Sequence, residues 1–243
     1  MGEDCLSTID CFRKMGVEIN ITDDEVIVEG VGLHGLEAPS EALYTGNSGT
    51  TTRLLCGILA GQPFTVTMSG DPSIQKRPMG RVMKPLREMG ASIEGKNDNF
   101  CPLTLFPSEL HGIEYRLPVA SAQLKSAILL AGLYAEGQTT VIEPAPSRDH
   151  TERMFRALGV EIETNGSTIT LDPPEDLHAV DIAVPGDISS AAFFLVAGAI
   201  VPGSELTIKN VGVNPTRTGI LDVLRDMGAD ITESNFRDDA EPV

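Results

Sequence analysis

The stretch Tyr44-Thr45-Gly46-Asn47-Ser48-Gly49-Thr50-Thr51-Thr52-Arg53 runs without a break into Leu54-Leu55-Cys56-Gly57-Ile58-Leu59-Ala60. A glycine turn carrying small hydroxyl and amide side chains thus feeds an apolar helix. The first N–H groups of such a helix have no intrahelical partner, and its dipole favours an anion there. Glycine lets a ligand approach the backbone closely, while Asn47, Ser48 and Thr50 can cap or donate. Taken alone, the stretch reads equally well as an ordinary N-cap and as an anion site.

The same design returns twice. Residues 49–66, 121–141 and 188–208 each open on small polar residues and continue as a nearly all-apolar helix. Each then breaks at a glycine (Gly61, Gly137, Gly203) and enters a Thr-containing strand. A helix apolar on every side is expected to be buried on every side. Before, between and after these helices lie four matching segments, which begin at Met15, Met89, Leu158 and Met227 and are spaced 74, 69 and 69 residues apart. Each reads Met/Leu-Gly-x-x-Ile, follows an amphipathic stretch and precedes a β-branched one, so each marks a helix ending at a glycine and turning into a strand. A period of roughly seventy implies a whole supersecondary unit per copy. The unit reads strand, buried helix, strand, outer helix, then a hairpin such as 92–106 or 161–171. The fold class is therefore α/β (or α+β), with repeated βαβαββ units whose buried helices pack inside a shell of sheets. Four outer helices meet three buried ones. Residues 4–15 read as an outer helix whose buried partner and first strand belong upstream, and 231–233 opens a hairpin that 238–243 does not complete. The expectation is of a chain cut at both ends.

Composition narrows the functional classes. A net charge of −17 argues against nonspecific binding to nucleic acid or to an anionic membrane. No apolar run approaches the roughly 18 residues that a spanning helix needs, and the N-terminus lacks the basic, apolar character of a signal peptide. Cys5, Cys11, Cys56 and Cys101 lack metal-ligand spacing and read as free thiols of a reducing cytoplasm. No nucleophile–base signature, phosphate-loop lysine, dinucleotide fingerprint or zinc or iron ligand cluster is present.

What remains is small polar groups at each buried-helix entrance and cations ahead of each outer helix. The entrances are Asn47-Ser48-Gly49-Thr50, Ala120-Ser121-Ala122-Gln123 and Pro185-Gly186-Asp187-Ile188-Ser189-Ser190. The cations lie in Lys76-Arg77-Pro78, Ser147-Arg148-Asp149-His150 and Pro215-Thr216-Arg217. Guanidinium groups suit phosphates and carboxylates because they pair with either through two hydrogen bonds. A lone arginine is a solvated surface charge, but the same placement in three units favours function for Arg77 and Arg148, with Arg217 evenly balanced. His150 reads as a helix N-terminal residue rather than a catalyst. Asp187 reads as a cap or as a polar site residue. Gln123, facing inward, needs a partner or a ligand. Electrostatic holding of anions together with proton transfer is the chemistry these residues suggest.

The blocks Gly46–Arg53, Lys76-Arg77-Pro78-Met79, Ala120–Ser126, Ser147-Arg148-Asp149-His150-Thr151 and Val184–Ala191 together resemble the EPSP synthase family, over essentially the whole chain. That resemblance implies an inside-out α/β barrel fold of two globules. Here these would be a first globule over 1–182, its first unit incomplete, and the start of a second over 183–243. It implies transfer of the enolpyruvyl group of phosphoenolpyruvate to the 5-hydroxyl of shikimate 3-phosphate, by addition and elimination, with no cofactor and no metal. It assigns Asn47, Gly49, Thr50, Arg77 and Gln123 to phosphoenolpyruvate, with Gly49 also lining the space taken by the herbicide glyphosate. Ser121, Ala122, Gln123, Ser147 and Arg148 go to shikimate 3-phosphate, and Gln123 and Asp187 to catalysis, with the main acid–base group expected outside the chain. Ala122 stands where many members have serine. The implied partners are these anionic small molecules, in the cytoplasm, without nucleic acid or membrane, and the incomplete first unit suggests self-association. Alone, the chain is expected to be inactive. The alternatives are a non-catalytic fragment that binds shikimate 3-phosphate and a relative of UDP-N-acetylglucosamine enolpyruvyl transferase. The latter should carry a reactive cysteine on a mobile loop, and none of the four cysteines has that context.

Overall fold

In the structure, a computed structural model, all 243 residues are described except the side chains of Asp238 and Asp239. The first repeat contributes α1 (Glu3–Lys14) and the hairpin β1 (Glu18–Ile21) and β2 (Val26–Glu29). The second runs β3 (Leu43–Tyr44), α2 (Gly49–Ala60), β4 (Val66–Ser69), α3 (Gly80–Glu88), β5 (Ser92–Lys96) and β6 (Phe100–Phe106). The third runs β7 (Glu114–Arg116), α4 (Ala122–Gly132), β8 (Thr139–Ile142), α5 (His150–Ala157), β9 (Ile162–Asn165) and β10 (Thr168–Leu171). Then follow α6 (Ile188–Ile200), α7 (Gly219–Asp226) and a short antiparallel pair, β11 (Asp238–Asp239) and β12 (Glu241–Pro242). The chain divides into two compact units, Met1–Ala145 with Gly159–Ala179, and Pro146–Leu158 with Val180–Val243.

The repeated Met/Leu-Gly segments end helices as their sequence requires. Gly16, Gly90, Gly159 and Gly228 all have φ between 84° and 103°, the left-handed region that closes a helix at glycine. In α1, α3 and α7 the residue after that glycine (Val17, Ala91, Ala229) bonds back to the carbonyl five positions earlier, on Phe12, Leu86 and Leu224. An arginine belongs to the same repeat. Arg13, Arg87 and Arg225 reach around the turn to the carbonyls of Ile19, Ile93 and Ile231, and Arg156 and Ile162 occupy the same places in the third repeat. Arg13 and Arg87 thereby brace helix to strand, and Arg225 braces α7 to the segment that follows it.

In the larger unit the second and third repeats form two four-stranded sheets of one topology, β3-β4-β6-β5 and β7-β8-β10-β9. The first two strands of each are parallel and the rest antiparallel. A parallel pair needs a crossover connection, and α2 and α4 are those crossovers. The two helices pack on each other, and glycine sets how closely. A Cβ on Gly57 would lie 2.2 Å from the carbonyl oxygen of Ala127. Leu55, Leu59, Leu124, Ile128 and Leu129 are buried around this crossing, and fully burying each such side chain is worth about 1.5–3 kcal/mol. One charge lies in this core. Lys125 Nζ sits 3.0 Å from Glu143 Oε2, with the side chains 1% and 5% exposed, and the pair ties the first turn of α4 to the end of β8.

In the smaller unit α6 packs on α7 through Ile188, Ala191 and Leu221, with Leu195, Ile208, Val211 and Ile220 alongside. Two expectations fail here. The strand expected after α6 does not form at 205–208, nor does 231–233 begin a hairpin. Strand geometry persists only where a neighbour takes up the N–H and C=O groups. β8 lies between β7 and β10, whereas beside α6 the parallel pairing is reduced, among the described residues, to one bridge, Gly186 with Val211. The full burial expected of the third apolar helix also fails, because Phe193, Phe194 and Ile200 of α6 are exposed. Among the described residues, no helix is long and apolar enough to cross a membrane.

Candidate functional site: two cation-bearing helix entrances

The entrance to α2 is built from local bonds. Ser48 caps the helix by accepting from the Thr51 N–H at 3.1 Å, and Thr52 Oγ1 donates to the Ser48 carbonyl at 2.7 Å. Gly49 is buried at the first turn, and its missing side chain is what the site uses. A Cβ there would lie 2.7 Å from Nη1 of Arg53 and 2.9 Å from Nη1 of Arg77. Arg53 arrives one helical turn after Gly49. Arg77 arrives on the 3₁₀ turn Ile74–Lys76, which Asp71 starts by accepting from the N–H groups of Ser73 and Ile74. Two guanidiniums therefore stand over a helix N-terminus, where free N–H groups already favour an anion.

The entrance to α4 joins this cluster. Ser121 caps α4, accepting from the Leu124 N–H at 3.4 Å. Gln123 finds the partners it needs in α2, its Nε2 donating to Thr50 Oγ1 at 2.8 Å and its Oε1 accepting from Arg53 Nη1 at 3.0 Å. Thus Gly49, Thr50, Arg77 and Gln123 meet. Asn47 is exposed in the preceding turn, and Ala122 is half-buried beside Gln123. The charges of the cluster are mainly positive, with the Asp71 carboxylate, held below its ordinary pKa first by the Ser73 hydroxyl, near enough to Arg77 for that charge to add to the effect. Burial, followed by the neighbouring charges of Arg77 and Arg81, holds the Arg53 pKa below its ordinary value, and Arg53, Arg77 and Arg81 make no ion pair with a carboxylate among the described residues. Like charges held together at a partly dry surface are a standing demand for an anion. Arg53 and Arg81 were missed as site residues in the sequence. Arg53 sits four residues after Gly49, a spacing that puts both on one helix face.

The smaller unit holds the other candidates. Ser147 is half-buried and Arg148 exposed in the turn ahead of α5. Asp187 caps α6, its carboxylate accepting from the N–H groups of Ser189 and Ser190 at 3.0 and 3.3 Å. Arg217 pairs with it at 3.2 Å. The Ser189 N–H, ahead of the Ser190 hydroxyl and Arg217, holds the Asp187 carboxyl below the usual carboxylate value. His150, at the first turn of α5, lies 2.5 Å from Glu241 through Nδ1. All four cysteines are free. Burial pushes the thiols of Cys11 and Cys101 up to about 11 and that of Cys56 higher still, which leaves these three neutral rather than nucleophilic.

The fold and these entrances define a class: an α/β protein of βαβαββ repeats whose apolar crossover helices carry arginines beside their N-termini. Residues 1–241 match the model of the family EPSP synthase (3-phosphoshikimate 1-carboxyvinyltransferase), and the chain belongs to that family. It is 62% identical over 244 residues to the 3-phosphoshikimate 1-carboxyvinyltransferase of Geobacillus kaustophilus, covering 100% of this chain and 57% of that protein. It is 58% identical over 240 residues to that of Bacillus cytotoxicus, covering 98% and 57%. The EPSP synthase structure from Acinetobacter baumannii superposes with a TM-score of 0.94 at 52% identity, covering 100% of this chain and 55% of that one. The chain thus spans a little more than half the length of the curated relatives it matches.

Proposed function

We propose that the protein is an EPSP synthase, transferring the enolpyruvyl group of phosphoenolpyruvate to the 5-hydroxyl of shikimate 3-phosphate with release of phosphate. The observation that carries the reading is the side-chain-free Gly49 beneath Arg53 and Arg77, bridged through Arg53 to Gln123. Phosphoenolpyruvate brings a carboxylate and a phosphate to such a cradle. Asn47, Gly49, Thr50, Arg77 and Gln123 bind it, and Arg53 joins them. Ser121, Ala122 and Gln123 contact shikimate 3-phosphate, and Ser147 and Arg148 hold its phosphate. In the addition step the 5-hydroxyl gives its proton to a base and its oxygen bonds to C2 of phosphoenolpyruvate, as the C2–C3 double bond opens and C3 gains a proton. In the elimination step C3 loses a proton, the C2–C3 double bond re-forms, and the C2–O bond to phosphate breaks with phosphate leaving. Gln123 orients the reacting groups, and Asp187, an ionised carboxylate, takes the second catalytic position. The sheet-and-helix frame ending at Leu171 and the part beginning with α6 are the two globules of this reading, divided near residue 182. The free thiols support a cytoplasmic setting, and the apolar face of α6 supports self-association.

Calorimetric titration of phosphoenolpyruvate in the presence of saturating shikimate 3-phosphate, with released phosphate followed alongside, tests the reading. A charge-assisted hydrogen bond is worth about 1.5–3 kcal/mol, so Arg77→Ala should weaken phosphoenolpyruvate about ten- to a hundredfold. Binding unchanged in Arg77→Ala would refute the assignment of the cradle.

A further inference from the structure

Asn214 of the smaller unit is buried, at 2% exposed, and its amide is fully used. Nδ2 donates to Asp149 Oδ1 at 2.6 Å and to Glu241 Oε2 at 3.1 Å. Oδ1 accepts from the N–H of Thr216 at 2.9 Å and from its hydroxyl at 2.6 Å. Two donors and two acceptors are all that an asparagine side chain offers. The two carboxylates are in turn held at their other oxygens. Arg153 Nε donates to Asp149 Oδ2 at 2.9 Å, and Glu241 Oε1 meets His150 Nδ1. Because His150 follows Asp149 in the chain, the bonds close a ring: Asp149, His150, Glu241, Asn214 and back to Asp149.

The ring has Arg148 on one side and Arg217 on the other. Arg148 precedes Asp149 in the chain and makes no hydrogen bond or ion pair among the described residues, so its backbone is fixed while its guanidinium is left available. The N–H of Arg217 donates to the Asn214 carbonyl at 2.8 Å, and its guanidinium meets Asp187 at the head of α6. The Asp149 carboxyl is burdened by burial, yet Asn214 and Arg153 still hold its pKa below the ordinary value, so it stays ionised and gripped. A glutamine is too long and an aspartate lacks the two N–H donors, and Asn214→Asp would set three carboxylates against one another.

We propose that Asn214 is a positioning residue, which locks the Ser147-Arg148 turn so that Arg148 meets the phosphate of shikimate 3-phosphate already ordered. This rests on the reading of Ser147 and Arg148 as phosphate holders. The benefit is entropic, since a long side chain on a fixed backbone loses less freedom when it binds. The nearest alternative is that the ring only stabilises the fold, and a double-mutant cycle separates the two.

The experiment is calorimetric titration of shikimate 3-phosphate into the wild-type chain, Asn214→Ala, Arg148→Ala and the double variant, with thermal midpoints measured on each. Asn214→Ala is expected to weaken binding about tenfold when Arg148 is present and less than about twofold when it is not, a coupling within the range seen for contacting networks. Its cost in thermal stability should be the same in both backgrounds. Equal losses of affinity in the two backgrounds, or none, would overturn the positioning role while leaving the functional reading intact. Failure of the wild-type chain to bind shikimate 3-phosphate would overturn the functional reading and this inference with it. If Asn214→Ala does not fold, Glu241→Ala opens the ring at a corner nearer solvent, and the same cycle with Arg148→Ala decides in the same way.

Discussion

In α4 the side chains of Leu124, Ile128 and Leu129 are buried, whereas in α6 Phe193, Phe194 and Ile200 are 80%, 61% and 72% exposed. The two helices share a layout, with a polar cap (Ser121, Asp187) followed by eleven or thirteen residues of apolar character. α6 is the more apolar of the two, for it carries no charge, while α4 contains Lys125. What separates them is company. α4 lies against α2, α3 and β8, and the chief neighbour of α6 is α7. Apolarity on every side states what a helix requires and not what surrounds it. The same contrast extends to function. The α2 and α4 entrances hold each other through Arg53, Gln123 and Thr50, and the α6 entrance is held by Asp187, Arg217 and, through the Asn214 ring, the turn ahead of α5.

The strongest way to break the comparison is to attack the buried charge in α4. Lys125→Ala removes the buried ammonium 3.0 Å from the Glu143 carboxylate, with an expected cost of about 3–5 kcal/mol in urea unfolding. Lys125→Met combined with Glu143→Gln should recover much of it. A Lys125→Ala variant as stable as wild type would show that the core around α4 is wet or loose. Leu129→Ala comes next. It should cost about 2–5 kcal/mol, and the same unfolding measurement should find Phe194→Ala in α6 within about 0.5 kcal/mol of wild type. Equal costs at the two sites would remove the distinction between the helices.

The glycines sharpen the contrast further, because their substitutions should differ in sign. Gly57→Ala drives a methyl onto the Ala127 carbonyl and should destabilise by about 1–3 kcal/mol. Gly198→Ala in α6, where the nearest atom beyond the helix is 3.6 Å from the new carbon, should stabilise by about 0.5–1 kcal/mol. Light scattering probes the exposed face itself. Phe193→Glu should shift the chain toward monomer at tens of micromolar, and a wild-type chain already monomeric there would end the self-association proposal. The smallest effect is that of pH on Asp187. Its folded pKa is depressed below the ordinary 3.8, so its contribution is present in full above that value and fades as pH falls through the folded value. Asp187→Asn should lower stability slightly at neutral pH, where that contribution is present in full, and flatten the acid limb below about pH 4, and an unaltered acid limb would show that the cap bonds do not bias its protonation.

Legibility in the sequence followed the range of the interactions. The four helix ends at Gly16, Gly90, Gly159 and Gly228 could be read because a left-handed glycine closing a helix is a local event. So could the two complete βαβαββ sheets, where alternation and turn residues agree with the pairing found. The brace from Arg13, Arg87 and Arg225 lies in the same repeats, two residues ahead of the Met-Gly pair, but an arginine on a helix face does not by itself announce the carbonyl it will reach beyond the turn. Residues 205–208 read as a strand but do not form one, since pairing depends on a distant partner. The candidate site divides likewise. Gly49 and Arg77 stood out as turn glycine and placed cation, but the joining of Arg53 to Gln123, 70 residues away, depends on how α2 and α4 cross. Nor could the Asn214 ring be read, because its corners come from three separate stretches.

The most direct test of the account is calorimetric titration of shikimate 3-phosphate into the 243-residue chain, beside Gln123→Ala and Arg148→Ala. The account predicts saturable one-to-one binding, weakened at least about tenfold by either substitution. Absence of binding at millimolar ligand, or binding indifferent to both substitutions, would contradict it.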